Sequence, residues 1–316
     1  MDIKKGEKFN MKYKKTVITF SCIFVFIFVI LFFLLINYQK ESVIKANEKN
    51  LQLLANEKAS QINLFLESQK EELFIIASTN VFKEAILYPS DELKISAAKN
   101  RINELKDTIP GISLMNSEGI VSTGDIDLPG TDYSQHPYYL AKRQDIMFTR
   151  YYDPLRKGDY YAIIGPIYDN TDKSKIIGRI AFDIELEKIS ALMKETLESS
   201  EEIYLIDETG LLLSSSKFID GNNKNGILIQ EVKSDGAKAC LDNLRKSGKN
   251  DFVEQHNETV FEYTNYMGDE VFGAHAYVPN IMGCVIAEKG ADELLKFDLV
   301  GYITKNIFKK EVKDEN

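Results

Sequence analysis

Asp183 has the setting that most suggests chemistry. It closes an apolar run, Ile180-Ala181-Phe182, and Ile184 follows it. A carboxylate there either faces a pocket or sits at a strand end in solvent, capping the helical run that starts at Leu186. If buried, it needs a cationic partner or several donors. A bound ammonium supplies one, at roughly 1.5–3 kcal/mol for a charge-assisted hydrogen bond. Position alone leaves the two readings equal. Upstream, Tyr133, Tyr138, Tyr139, Tyr151 and Tyr152 are densely spaced. Each offers an apolar wall, a hydroxyl, and a ring face that attracts cations by about 0.5–2 kcal/mol. Core packing is the competing role. Adjacent strand residues point to opposite faces, so only one of Tyr151 and Tyr152 can face a given cavity. His136 is mostly neutral near pH 7 and then offers one donor; a surface histidine without a ligand is the alternative.

Other chemistry is thinly represented. His136, His256 and His275 lack metal-ligand spacing and cluster with no cysteine pair. There is no Gly-x-Ser-x-Gly elbow, P-loop or His-Glu-x-x-His. Neither an enzyme, a metal centre nor a cofactor is therefore expected. Glu201-Glu202 reads as solvated surface rather than a general acid/base pair. Asn257-Glu258-Thr259 fits a glycosylation acceptor, a match common by chance. A net charge of −9, with no basic patch, argues against nucleic acid. Cys22 lies in an apolar segment; Cys240 and Cys284 either pair or stay as free core residues.

The elements that would carry these residues begin with an anchor. Thr16 to Gln39 contains no charged residue, and Val17 to Ile36 is almost entirely Val, Ile, Leu and Phe. About 20 such residues, at about 1.5 Å each, cross about 30 Å of hydrocarbon as a helix. Lys4, Lys5, Lys8, Lys12, Lys14 and Lys15 precede it, which puts the N-terminus inside and the bulk of the chain outside. The run is too long for a signal peptide and lacks a small-x-small cleavage site. A later stretch, Leu294 to Phe308, is broken by Lys296, Asp298 and Lys305, so a single span is expected and no output domain of its own.

Apolar residues continue at three- and four-residue spacings from Val43 to Ile76, predicting one long helix to about Ser78. A second helix is expected from Ser90, as N-cap, to Lys106. Ile112–Met115 and Ile120–Ser122 flank a turn at Asn116–Gly119, a hairpin signal. Strands follow at Ile146–Tyr152, Tyr160–Tyr168 and Ile176–Ile184, then a helix at Leu186–Leu197. Two pieces recur in the same order. Leu205–Ser214 echoes Leu114–Thr123, and Gly283-Cys284-Val285-Ile286-Ala287-Glu288 echoes Gly178-Arg179-Ile180-Ala181-Phe182-Asp183. That order suggests two copies of one α/β module.

The order of anchor, long helix, and larger then smaller module resembles the double Cache family of extracytoplasmic sensor domains. Asp132-Tyr133-Ser134-Gln135-His136-Pro137-Tyr138-Tyr139 looks like the family's loop and short helix over the distal pocket. Tyr151-Tyr152-Asp153-Pro154, Gly165-Pro166-Ile167-Tyr168 and Ile177–Ile184 look like the strands beneath it. The resemblance implies a small-molecule pocket in the distal module, as in the sensor portions of chemoreceptors, histidine kinases and diguanylate cyclases. Amino-acid-binding members carry an Arg-x-Trp-Tyr motif and a later Asp. Here His136 replaces the Arg and Tyr138 the Trp, while Asp183 keeps the ammonium side. An arginine fork grips a carboxylate in a way histidine does not. The implied ligand-binding residues are Asp183, Tyr133, His136, Tyr138, Tyr139 and Tyr152, the last chosen over Tyr151 on the resemblance.

The expected fold is thus α+β: a transmembrane helix continuing into a stalk helix, then two PAS-like antiparallel-sheet modules. The expected segments are a basic cytoplasmic tail (1–15), the span (16–37), two helices packing on the sensor (38–108), a distal module (109–198), a proximal module (199–290), and a C-terminal helix with charged tail (291–316). The expected function is an extracytoplasmic sensor of an amine, amino acid or carboxylate. Its candidate partners are the membrane, a second copy through the stalk helix, and a separate signalling protein. The alternative is an anchored interaction or structural protein with an unliganded Cache fold.

Overall fold

The computed structural model describes residues 3–136, 139, 145–153, 157–194, 201–216, 226–247 and 260–292. Helix α1 spans Ile3–Ala77. No proline or glycine interrupts it after Gly6, so its ladder of backbone hydrogen bonds has no internal break. The chain divides into two units, Met1–Asn50 with Ala291–Asn316, and Leu51–Gly290.

In the first unit, α1 is apolar and uncovered. Ile23 to Leu35 are all exposed, Phe24 to 72%. Among the described residues this is one helix long and apolar enough to cross a membrane. Such a surface is stable in lipid and costly in water. The expected C-terminal helix and tail lie outside the described residues, apart from two helical residues, Ala291 and Asp292.

In the second unit, α1 buries Leu51, Ala55, Ala59, Ile62, Leu66, Leu73 and Ile76, a stripe at helical spacing. Lys58 joins that stripe at 1% exposure, its Nζ donating to the Leu192 carbonyl at 2.6 Å and to Gln61 Oε1 at 3.2 Å. Two short helices follow. The first, α2 (Asn80–Leu87), was not legible in the sequence; it begins at an extended Thr79 that makes no side-chain cap. The second, α3 (Glu92–Leu105), is capped by Asp91 rather than Ser90, with Asp91 Oδ1 accepting from Leu93 N and Lys94 N.

The first sheet is antiparallel, with order β2-β1-β5-β4-β3. Its strands are β1 Ser113–Asn116, β2 Val121–Gly124, β3 Met147–Asp153, β4 Gly158–Tyr168 and β5 Ile176–Asp183. The β1–β2 turn is held by Asn116 Oδ1, which accepts from Glu118 N and Ile120 N. One face packs on α1: a Cβ on Gly165 would lie 2.6 Å from Leu73. Helix α4 (Leu186–Lys194) follows; the expected continuation to Leu197 lies outside the described residues.

The second sheet has order β6-β9-β8-β7, from β6 Glu201–Ile206, β7 Phe261–Thr264, β8 Glu270–Val278 and β9 Gly283–Gly290. Its first and last strands are neighbours, as β1 and β5 are in the first sheet, so the internal repeat is one of topology. The counterpart of β2 shrinks to bridges at Leu211 and Leu212, with Asp207 Oδ1 holding the turn as Asn116 does. Helix α5 (Asp235–Ser247) covers this sheet. Cys240 on α5 and Cys284 on β9 form a disulfide, which decides between the two roles the sequence left open. Glu202 is not solvated surface: it is 2% exposed on the inner face of β6. Adjacent strand residues face opposite ways, so an acidic dipeptide can put one member inside.

Candidate functional site

The first sheet has a free face opposite α1. Strand alternation brings Ser113 and Met115, Thr149 and Tyr151, Ala162 and Ile164, and Ala181 onto it. Gly111, Asp127, Tyr133, His136 and Tyr139 close over that face. Together they enclose a cavity of about 40 Å³. That is well below the range for small-molecule sites, about 300–1,000 Å³, so a guest larger than a water molecule must displace lining side chains.

Two buried carboxylates serve this cavity. Asp127 lies in the loop after β2 and is 6% exposed. It accepts from Tyr133 Oη at 2.8 Å and from Ser113 Oγ. No local signal selects it, since a loop aspartate is ordinarily solvated. Asp183 ends β5 at 7% exposure. It does not form the wall itself. It lies directly behind Gly111 and Tyr151, with Tyr151 Oη donating to Asp183 Oδ1 at 2.7 Å. Gly111 is required there: its φ is +71°, and an added Cβ would fall 2.4 Å from the Asp183 carboxyl.

Of the expected site residues, Tyr133, His136 and Tyr139 line the cavity, and Asp183 is one hydrogen bond behind it. Tyr138 lies outside the described residues. Tyr152 is 57% exposed and does not line the cavity, whereas Tyr151 does. The register explains why. Asp183 pairs with Ala162, which pairs with Thr149, and Tyr151 is two residues on. Tyr151 therefore shares the face of Asp183, and Tyr152 takes the other.

The aromatic wall is ordered by edge contacts. Tyr133 meets Tyr151 edge-on at 6.3 Å, and Tyr139 Oη contacts Met115 Sδ at 3.1 Å. The Arg179 guanidinium stacks on the Tyr139 ring at 4.7 Å. Burial holds the His136 ring below its ordinary pKa, against a hydrogen bond with the Arg150 backbone that pulls it up. Its imidazole is thus neutral at pH 7. Among the described residues the lining contains one tyrosine–carboxylate pair, Tyr133–Asp127, a second tyrosine, Tyr151, whose hydroxyl is bound to Asp183 behind it, and no lysine or arginine. Such a cavity favours a positively charged guest through hydroxyl oxygens, carboxylates and ring faces. The described residues hold no group of three or more His, Cys, Asp or Glu arranged for a metal ion.

Comparison with known proteins places the architecture. The model of the Cache domain matches residues 37–296. Among solved structures, the sensor domain of the V. cholerae histidine kinase DctB superposes with a TM-score of 0.56 at 12% identity, over 78% of this chain and 98% of that one. The ligand-binding domain of the Campylobacter jejuni chemoreceptor Tlp3, in complex with L-valine, gives 0.53 at 19% identity, over 82% and 98%. That of the Pseudomonas fluorescens chemoreceptor CtaA, in complex with L-isoleucine, gives 0.52 at 13%, over 81% and 97%. At these identities the likeness is one of fold. A comparison with curated proteins returns no match.

Proposed function

This chain belongs to the Cache domain family, and we propose that it is the ligand-binding sensor of an envelope signalling system, reading an amine- or amino-acid-like molecule in the cavity of its first sheet. The observation that carries this is the pairing of two buried carboxylates, Asp127 and Asp183, with tyrosine hydroxyls at the cavity wall. An ammonium entering the cavity exchanges hydroxyl donors for charged ones. His136, neutral and half-buried, is a weak grip for a carboxylate, so the ammonium end supplies most of the selectivity. The ligands named for the Tlp3 and CtaA structures, L-valine and L-isoleucine, both carry an ammonium.

The remaining parts fit the same reading. One apolar helix holds the sensor at the membrane, with the lysine-rich start of the chain inside and the sensor outside. The Cys240–Cys284 disulfide suits an oxidising compartment. Output leaves through α1, to a second copy of the chain or to a separate signalling protein.

Calorimetric titration of the full chain in detergent, against alkyl amines, amino acids and dicarboxylates, tests this. Compounds bearing an ammonium should bind. Asp127→Asn should weaken them by roughly 10- to 100-fold, the loss of one hydrogen bond to a charged group. Binding of an amine-free dicarboxylate, or an Asp127→Asn protein with native affinity, would overturn the assignment.

A further inference from the structure

The internal repeat reaches into the chemistry. Aligning β9 on β5 sets Glu288 where the first module has Asp183. The registers agree residue for residue. Asp183 pairs with Ala162, which pairs with Thr149, and Tyr151, two further along β3, donates to Asp183. Glu288 pairs with Gly273, which pairs with Phe261, and Tyr263, two further along β7, donates to Glu288 at 2.6 Å. On the other flank the modules differ. Against Asp183 lies Gly111, a backbone without a side chain. Against Glu288, directly across the β6–β9 pair, lies Glu202.

Glu288 and Glu202 are 1% and 2% exposed. Cross-strand partners hold their Cβ atoms about 4.5–5.5 Å apart. Glu288 Oε1 also accepts from Tyr204 Oη at 2.7 Å, and Glu288 Oε2 is buried without a partner among the described residues. Glu202 Oε1 accepts from Tyr266 Oη at 2.7 Å and from Ser216 Oγ. Two carboxylates this close and this dry do not both stay ionised.

We propose that Glu288 is a proton-binding site whose affinity is set by burial and raised further by Glu202, so that the second module responds to protons at the position that Asp183 holds in the first module. The carboxylic acid supplies at Glu288 Oε2 the hydrogen that an ammonium would bring in the first module. Loss of that proton leaves two like charges facing each other inside the β6–β9 pair. Burial, and after it the Glu202 charge, hold Glu288 up at about 7, against hydrogen bonds from Tyr263 and Tyr204. That is proton affinity roughly 300-fold above a solvated glutamate.

The neighbouring titratable groups are accounted for element by element. From β6 come Glu202 and Tyr204, from β7 Tyr263, and from the turn after it Tyr266. Burial, with the carboxylates beside them, pushes all three hydroxyls up, so none titrates near neutrality. On β8, Gly273 stands opposite Glu288, and His275, two residues on, meets Tyr277 edge-on at 6.1 Å. On α5, Gly236 lies against the Tyr263 hydroxyl, Asp235 and Lys238 pair at the surface, and Cys240 is in the disulfide. Glu201 and Lys289 pair at 3.2 Å on the reverse face.

The test is thermal unfolding of the full chain in nanodiscs from about pH 5 to about pH 8, with difference infrared spectroscopy of the carboxyl groups. A folded-state value raised above the unfolded one gives stability that is complete at acid pH and lost as pH rises through about 7. The native midpoint should therefore fall over that window. Glu288→Gln should flatten the profile, and Glu202→Gln should move the fall to lower pH. In the infrared, the native protein should show a protonated-carboxyl band at about pH 6 that Glu288→Gln removes. A native protein without that band, a band untouched by Glu288→Gln, or a Glu202→Gln profile that coincides with the native one overturns the proposal. The infrared reading of the native protein stands even if a variant fails to fold.

Discussion

Replacing Tyr151 with phenylalanine removes one oxygen and leaves the ring in place, so its effect isolates the hydroxyl. That hydroxyl donates to Asp183 Oδ1 at 2.7 Å, and Asp183 is 7% exposed. A hydrogen bond to a charged group contributes about 1.5–3 kcal/mol. A buried carboxylate deprived of a donor cannot recover it from bulk water. For a unit of this size, about 1 kcal/mol moves the unfolding midpoint by about 2–4 °C. The unliganded Tyr151→Phe protein should therefore unfold roughly 3–12 °C below the native one. Tyr152→Phe is the control. Its side chain is 57% exposed, and surface changes of this kind stay within about 0.5 kcal/mol. Circular dichroism of both variants at pH 7 is sufficient. If Tyr152→Phe costs as much as Tyr151→Phe, or neither moves the midpoint, the strand parity that puts Tyr151 on the cavity is wrong.

Three further outcomes follow. Gly111→Ala puts a Cβ on the Asp183 carboxyl at a positive φ. It should cost about 1–3 kcal/mol in denaturant unfolding, as a strained backbone position does, and should abolish ligand uptake in the same calorimetric titration. Lys58→Ala removes a buried cation that satisfies the Leu192 carbonyl. The expected loss is about 2–4 kcal/mol by chemical denaturation, from the charged hydrogen bond and the cavity left by the stem. Reducing Cys240–Cys284 opens a loop with a sequence separation of 44. It should lower the midpoint by an amount equivalent to about 2–4 kcal/mol, and mass spectrometry should show two free thiols appearing together.

The strands beneath the cavity were legible because their apolar runs are bounded by polar turns such as Asn116–Gly119 and Asp169–Lys173. Asp183 was legible because a carboxylate at the end of such a run is an anomaly. The choice between Tyr151 and Tyr152 was not, since it depends on a register passing through three strands, Asp183 to Ala162 to Thr149. A one-residue slip exchanges the two faces. Asp127 carries no local signal at all; its burial arises from Tyr133 and Ser113 closing on it from other elements. The same limit hid Glu202, which shares a dipeptide with Glu201 on the opposite face of the strand. Helix α2 has a weak start, an uncapped Thr79, and its stability comes from burying Phe82, Ala85 and Ile86 rather than from local sequence.

The Lys58–Leu192 contact gives α4 a mechanical character. The helix leaves β5 three residues after Asp183, runs nine residues, and has a carbonyl of its last turn gripped by a cation on α1. Nine residues of α-helix are about 13 Å of nearly inextensible rod. Both of its ends are tethered, one to the strand that carries Asp183 and the other to α1. A rod held in this way has little slack: displacement at one end is passed to the other as translation, and Lys58 is where the stalk would first feel it.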